Sequence, residues 1–174
     1  MARFFYDCEF IEDGERIVLV SIGVVGEDGR EHYAVSTQFD ERDAGEFVRK
    51  HVLPHLPSPS DPAWRSKEQL RTELLEFLRV GPGPIELWAW MGAYDHVALC
   101  GLWGAMPDLP GPMPRFTREI RQEWERNGAP ELPPRPAQAH HALEDARWAK
   151  AVWDLTTATP EPASVTSSEA SRES

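Results

Sequence analysis

Two carboxylates, Asp7 and Glu9, stand two residues apart inside the otherwise apolar run Phe4-Phe5-Tyr6-Asp7-Cys8-Glu9-Phe10. Side chains alternate along a strand, so both point to one face, roughly 6–7 Å apart. Like charges on such a face resist burial unless a cation lies between them. A divalent metal meets that need, and an edge strand with one wet face is the alternative. A third carboxylate, Asp95, opens a predicted helix just after the apolar run Ile85–Trp90, where open α/β sheets place their ligands. A fourth, Asp145, sits in His140-His141-Ala142-Leu143-Glu144-Asp145-Ala146. Two carboxylates from one strand and one from each of two helices suit a pair of hard cations, Mg²⁺ or Mn²⁺, about 3.5–4 Å apart. Such a pair activates a water and stabilises the leaving oxygen of a phosphodiester.

A histidine near that water supplies the base, because its ordinary pKa is close to working pH. On a helix, residues five apart diverge by about 140°, so His140 serves Asp145 best from the loop or first turn ahead of the helix. His141 is the rival, since it lies at i, i+4 from Asp145 and shares its face.

The elements that must hold these groups are legible. Arg16 to Val25 is a β-branched run, and His32 to Phe39 alternates apolar and polar residues. With short Asp-Gly turns between them, the first three strands form an antiparallel meander. Residues 43–53 predict a short helix, and Pro54 to Pro62 a loop. Ser66 is the predicted N-cap of a helix reaching Arg79, with Leu70, Leu74, Phe77 and Leu78 as its apolar stripe. Ile85–Trp90 reads as a strand from the middle of a sheet covered on both faces. A helix from Tyr94, a charged helix over Phe116–Arg126 and a last helix from His141 to Thr157 follow. Ala142, Ala146 and Ala149 would let that last helix approach the sheet closely and carry Asp145 to the seam. The resulting class is α/β, a mixed sheet of an antiparallel meander plus parallel strands, flanked by helices. Residues 1–157 form one domain, and 158–174, rich in Ser, Thr, Glu, Pro and Ala, are expected to be a disordered tail.

Composition narrows the chemistry. With 29 Asp+Glu against 18 Lys+Arg, a net charge of −11, the chain is unsuited to holding a long duplex by phosphate neutralisation. A few nucleotides gripped at a metal centre remain compatible. No apolar stretch approaches the roughly 20 residues that span a bilayer, so no membrane partner is expected. The first strand starts almost at Met1, which is read as leaving no room for a removed targeting segment. Cys8 and Cys100 make neither a disulfide framework nor a zinc spacing, and reduced thiols in the cytoplasm are expected.

Asp7-x-Glu9, Tyr94-Asp95 and His140-x-Ala142-x-x-Asp145, in this order and spacing, resemble the three motifs of the DEDDh 3'-5' exonucleases, a ribonuclease H-like family. The segments Tyr6–Gly14, Leu87–Trp90, Gly92–Cys100 and Pro114–Glu119 are most similar to its polyadenylate-specific RNase AS branch. The likeness covers about residues 3 to 157. It implies magnesium bound by Asp7, Glu9, Asp95 and Asp145, two ions per site, with His140 as general base. It further implies a homodimer that releases 5'-mononucleotides from adenylate-rich 3' ends of single-stranded RNA. Phe10 replaces the Thr often found after the first Glu, and Met91 the Asn often found in the second motif; neither is a ligand position. Contacts to the terminal nucleotide are assigned to Glu9, Phe10, Trp90 and Arg115. Core packing is the competing role for the aromatic residues. A solvated, paired face competes for Arg115, Arg118 and Arg121, which lie at i, i+3, i+6 among Glu119, Glu123 and Glu125. A DNA or short-oligonucleotide exonuclease of the same superfamily, or a silent RNA-binding module, are the other functions considered.

Overall fold

The computed structural model describes residues 1–158; the expected tail lies, from 159 onward, outside the described residues. Strands β1 (Ala2–Glu12), β2 (Ile17–Gly26), β3 (Glu31–Ser36), β4 (Trp64–Arg65), β5 (Ile85–Ala89) and β6 (Arg118–Glu119) form a mixed sheet in the order β4-β3-β2-β1-β5-β6. The meander β1-β2-β3 is antiparallel, while β4, β5 and β6 join parallel. Helices α1 (Glu46–His51), α2 (Lys67–Arg79), α3 (Ala93–Gly101), α4 (Ile120–Arg126) and α5 (Ala142–Thr157) complete the ribonuclease H-like arrangement. No helix among the described residues is long and apolar enough to cross a membrane.

The alternation of β1 divides the core. Phe4, Tyr6 and Cys8 enter one cluster with Leu70, Leu74, Leu78 and Leu99 from α2 and α3. Phe5 enters a second, with Trp148, Ala149 and Val152 of α5 and Ile120 of α4, and Ile11 a third, with Val20, Ala44 and Val52. Asp7 and Glu9 share Phe5's parity and therefore face α5. Helix α2 starts where Ser66 and Gln69 close a reciprocal capping box. It then buries Leu70, Leu74 and Leu78, each worth about 1.5–3 kcal/mol of hydrophobic burial.

Three boundaries differ from expectation. The strand predicted to Phe39 stops at Ser36, whose hydroxyl accepts the Gln38 N–H and turns the chain. The helix predicted over 43–53 is only Glu46–His51, flanked by 3-10 turns at Glu41–Asp43 and Leu53–His55. The helix predicted from Phe116 begins at Ile120, because Arg118 and Glu119 instead pair with Trp88 and Ala89 as β6. Arg115, Arg118 and Arg121 therefore form no helical ridge: only Arg121 lies in α4. Strand β5 is interior to the sheet as expected, paired with β1 on one side and the two-residue β6 on the other, and Glu86, Leu87, Trp88 and Ala89 are buried.

Candidate active site

Strand β1 outruns β5. Pairing between them ends at Phe5 and Trp88, leaving the second half of β1 without a neighbour on that side. The chain leaves β5 through Met91 and Gly92 and enters α3, whose first turn carries Asp95 into the gap. There Asp95 Oδ1 accepts the Cys8 N–H at 2.7 Å, taking the place that a carbonyl of the next strand would have filled. Cys8 itself is buried, as a small apolar residue between two acids pointing the other way.

Asp145 arrives from above. A Cβ on Gly23 would lie 2.3 Å from the Leu143 nitrogen, so the backbone of α5 rests directly on β2. Gly23 pairs with Asp7 across the β1-β2 ladder, which sets the start of α5 beside the acidic face of β1. Ala142, Ala146 and Ala149 are buried at that contact, as their small size requires. His140 precedes the helix with φ +68°. Its N–H donates to Asp145 Oδ2 at 2.7 Å, tying the histidine loop to the carboxylate. Left-handed backbone at a non-glycine residue costs about 1–3 kcal/mol and persists only where surroundings enforce it.

Ligand atoms of Glu9, His140 and Asp145 all lie within 4.8 Å of one another. Asp7 and Asp95 line the same cleft, of about 300 Å³, with Phe10, Phe47, Trp90 and Arg135. His140's ring meets Phe47 edge-on at 4.9 Å between centroids. His141 turns away: its ring stacks on Tyr33 at 4.6 Å and its buried Nδ1 has no partner. Phe10 follows an irregularity in β1 and stacks on Tyr94, centroids 5.9 Å apart. Trp90 packs edge-on against Trp124 and Trp148 while still lining the cleft. Arg115 does not line it; its guanidinium donates to the Met106 carbonyl at 2.8 Å. Arg118 is engaged with Glu86 at 3.2 Å, and Arg121 with Glu125 at 3.1 Å.

The basic group in the cleft is Arg135, absent from the sequence-based expectations. Its guanidinium lies 3.6 Å over the Trp148 ring. Nothing periodic marks a loop residue of this kind; its flanking by Pro134 and Pro136, which restrict the backbone, is the available signal. Phe47 was hidden for a different reason. It is exposed on a six-residue helix far away in sequence, and only the fold brings it to His140.

The acids crowd one another. Burial, then the charges of Asp95, Glu9 and Asp145, push the Asp7 carboxyl well above the usual carboxylate range, with Arg135 opposing. Glu9 is pushed up to about 8, by burial first and then by Asp145 and Asp95. Asp95 rises to about 6 for burial, held back by the Cys8 N–H. Burial raises Asp145 too, against the His140 N–H and the charges of His140 and Arg135. Such a set takes up either protons or a cation. Its hard oxygen donors, with an imidazole beside them, fit a divalent metal.

The description "3'-5' exoribonuclease Rv2179c-like domain" belongs to a family profile that matches residues 2–157. Two relatives from Mycobacterium tuberculosis strains, named 3'-5' exoribonuclease Rv2179c and 3'-5' exoribonuclease MT2234.1, are each 64% identical over 146 residues. The matches cover 83% of this chain and 87% of theirs. With nearly the whole folded region matched, the chain belongs to the Rv2179c-like 3'-5' exoribonuclease domain family.

Proposed function

We propose that this chain is a metal-dependent 3'-5' exoribonuclease that removes 5'-mononucleotides from single-stranded RNA, preferring adenylate ends. The observation that carries the reading is the convergence of Asp7, Glu9, Asp95 and Asp145, from three separate elements, on one cleft that also holds His140. The four carboxylates are the groups to hold two Mg²⁺ or Mn²⁺ ions. Bound there, the ions would sharpen a water's acidity and neutralise charge developing on the leaving oxygen. His140 takes the proton of the attacking water on its ring as the new P–O bond forms. The bond from phosphorus to the 3'-oxygen breaks, and solvent protonates that oxygen. Phe10, stacked on Tyr94, and Trp90 offer ring surfaces to the terminal nucleotide, while Arg135 offers its charge to a phosphate. Adenylate preference, a homodimer and a cytoplasmic setting are proposed from the resemblance of the motifs.

The test is to offer poly(A), poly(U), poly(C) and a DNA of matching length with Mg²⁺, Mn²⁺ or a chelator. Mononucleotides released fastest from poly(A), and none in chelator, are expected. Equal cleavage of all polymers removes the adenylate preference, and turnover in chelator removes the metal.

The two histidines separate cleanly. His140→Ala should slow release by about 10²–10⁴-fold, the usual worth of a positioned base, while Mn²⁺ still binds. His141→Ala should alter turnover by less than about threefold, because its ring is spent on Tyr33. The reverse ranking in single-turnover assays would transfer the base to His141.

A further inference from the structure

Helix α3 begins without a side chain of its own to cap it. Its N-cap is Gly92, and the residue before that, Met91, is held at φ +60°. A carboxylate from the far edge of the sheet does the work instead. Glu119 Oε1 accepts the Met91 N–H at 2.7 Å, and Oε2 accepts the Gly92 N–H at 3.0 Å. The same Oε1 accepts the Arg121 N–H at 3.1 Å, at the start of α4. One side chain thus binds the entries of two helices to β6, whose pairing of Glu119 with Ala89 fixes where it reaches from. The turn has no slack on its other side. A Cβ on Gly92 would meet Ala89 Cβ at 2.6 Å, so the backbone is pressed against the end of β5.

Asp95 lies three residues beyond Gly92, in the first turn of α3, and a shift of the turn moves its carboxylate with it. We propose that Glu119 is a positioning residue for the catalytic centre: by clamping the Met91 and Gly92 amides it fixes Asp95 against Cys8 and so sets cation affinity and turnover. This rests on the reading of Asp95 as a cation ligand.

The two ideas are tested side by side with Glu119→Ala, Glu119→Gln and Asp95→Ala. Calorimetry follows Mn²⁺ binding to RNA-free protein, steady-state assays on a single-stranded RNA give kcat and KM, and circular dichroism gives the folded fraction. Glu119→Ala should weaken Mn²⁺ binding and lower kcat by about tenfold or more, the range for partners that orient a ligand, with KM within about twofold. Glu119→Gln should fall between it and the parent, since one carbonyl oxygen can serve only one of the two amides well. Asp95→Ala should lose more of both quantities. If Asp95→Ala loses binding and turnover while both Glu119 variants match the parent, the positioning role is wrong and the ligand reading stands. If Asp95→Ala itself binds Mn²⁺ and turns over like the parent, the ligand reading fails first. A fall in kcat that only tracks unfolded protein, with Mn²⁺ affinity per folded molecule unchanged, also overturns the positioning role.

Discussion

Asp7→Asn is expected to lower nucleotide release by about 10³-fold or more, yet to make the metal-free protein more stable at pH 8. The first effect follows from the proposed ligand role. Losing one charged ligand removes several kcal/mol of transition-state stabilisation, and about 4 kcal/mol is roughly 10³-fold in rate. The second follows from crowding. Burial and three acidic neighbours raise the Asp7 pKa in the folded chain above its ordinary value of 3.8. The folded chain therefore holds protons at pH values where the unfolded chain has released them, and stability falls as pH rises. The stabilising contribution is fully present below about pH 4 and is lost upward through the folded values. Glu9, whose pKa is pushed up to about 8, loses its own share over the range up to that pH. Asparagine keeps the shape and removes one charge, so in chelator its melting temperature should exceed the parent's by roughly 5 °C at pH 8. The difference should vanish near pH 4. Excess Mn²⁺ should reverse the ranking at pH 8, because the parent gains a bound cation that holds the folded state. Equal melting temperatures at pH 8 in chelator would show that the acids do not repel as their placement requires.

The elements that carry the acids were readable because each has a signature longer than its own length of contact. Strand β1 alternates through Phe4, Tyr6 and Cys8 on one side and Phe5, Asp7 and Glu9 on the other, and both sides are used. Helix α5 shows its seam in three alanines, and α2 its start in Ser66. What escaped reading was whatever depends on two distant segments meeting. Strands β4 and β6 are two residues long, too short for any period to register. Arg135 and Phe47 reach the cleft from a proline-rich loop and a short helix, neither of which announces a direction. Glu119 reads as one acid among several in a charged stretch until its hydrogen bonds to Met91 and Gly92 are seen. The local rules predicted a helix there, and pairing with β5 overrode them.

Gly23 belongs to the same class, and its substitution is the sharpest test of how the site is assembled. The residue lies within the apolar run of β2, where a glycine weakens a strand and calls for a reason. The reason is the helix above it. A Cβ at this position would sit 2.3 Å from the Leu143 nitrogen and 2.4 Å from the Ala142 carbonyl oxygen, atoms of the α5 backbone that no rotamer change can move aside. Gly23→Ala should therefore lift the start of α5, at a cost of about 3 kcal/mol or more. For a chain of this size that is a fall of roughly 6–12 °C in melting temperature. The lift acts where His140 and Asp145 enter the cleft, and a displacement near 1 Å can cost about 10²-fold in rate. Turnover per folded molecule should thus fall by about that factor. Gly26→Ala, on the same strand, is the control. Its Cβ would press on the Asp28 carboxylate, at 2.5 Å, and touch the Arg30 carbonyl oxygen at an ordinary 3.6 Å; the carboxylate is a side chain at an exposed turn and can swing aside, giving up its bond from the Arg30 N–H. That variant should stay within about 1 kcal/mol of the parent and keep its turnover. Should the two alanines prove equally mild, helix and sheet would have to be further apart than the packing of Ala142 on β2 places them.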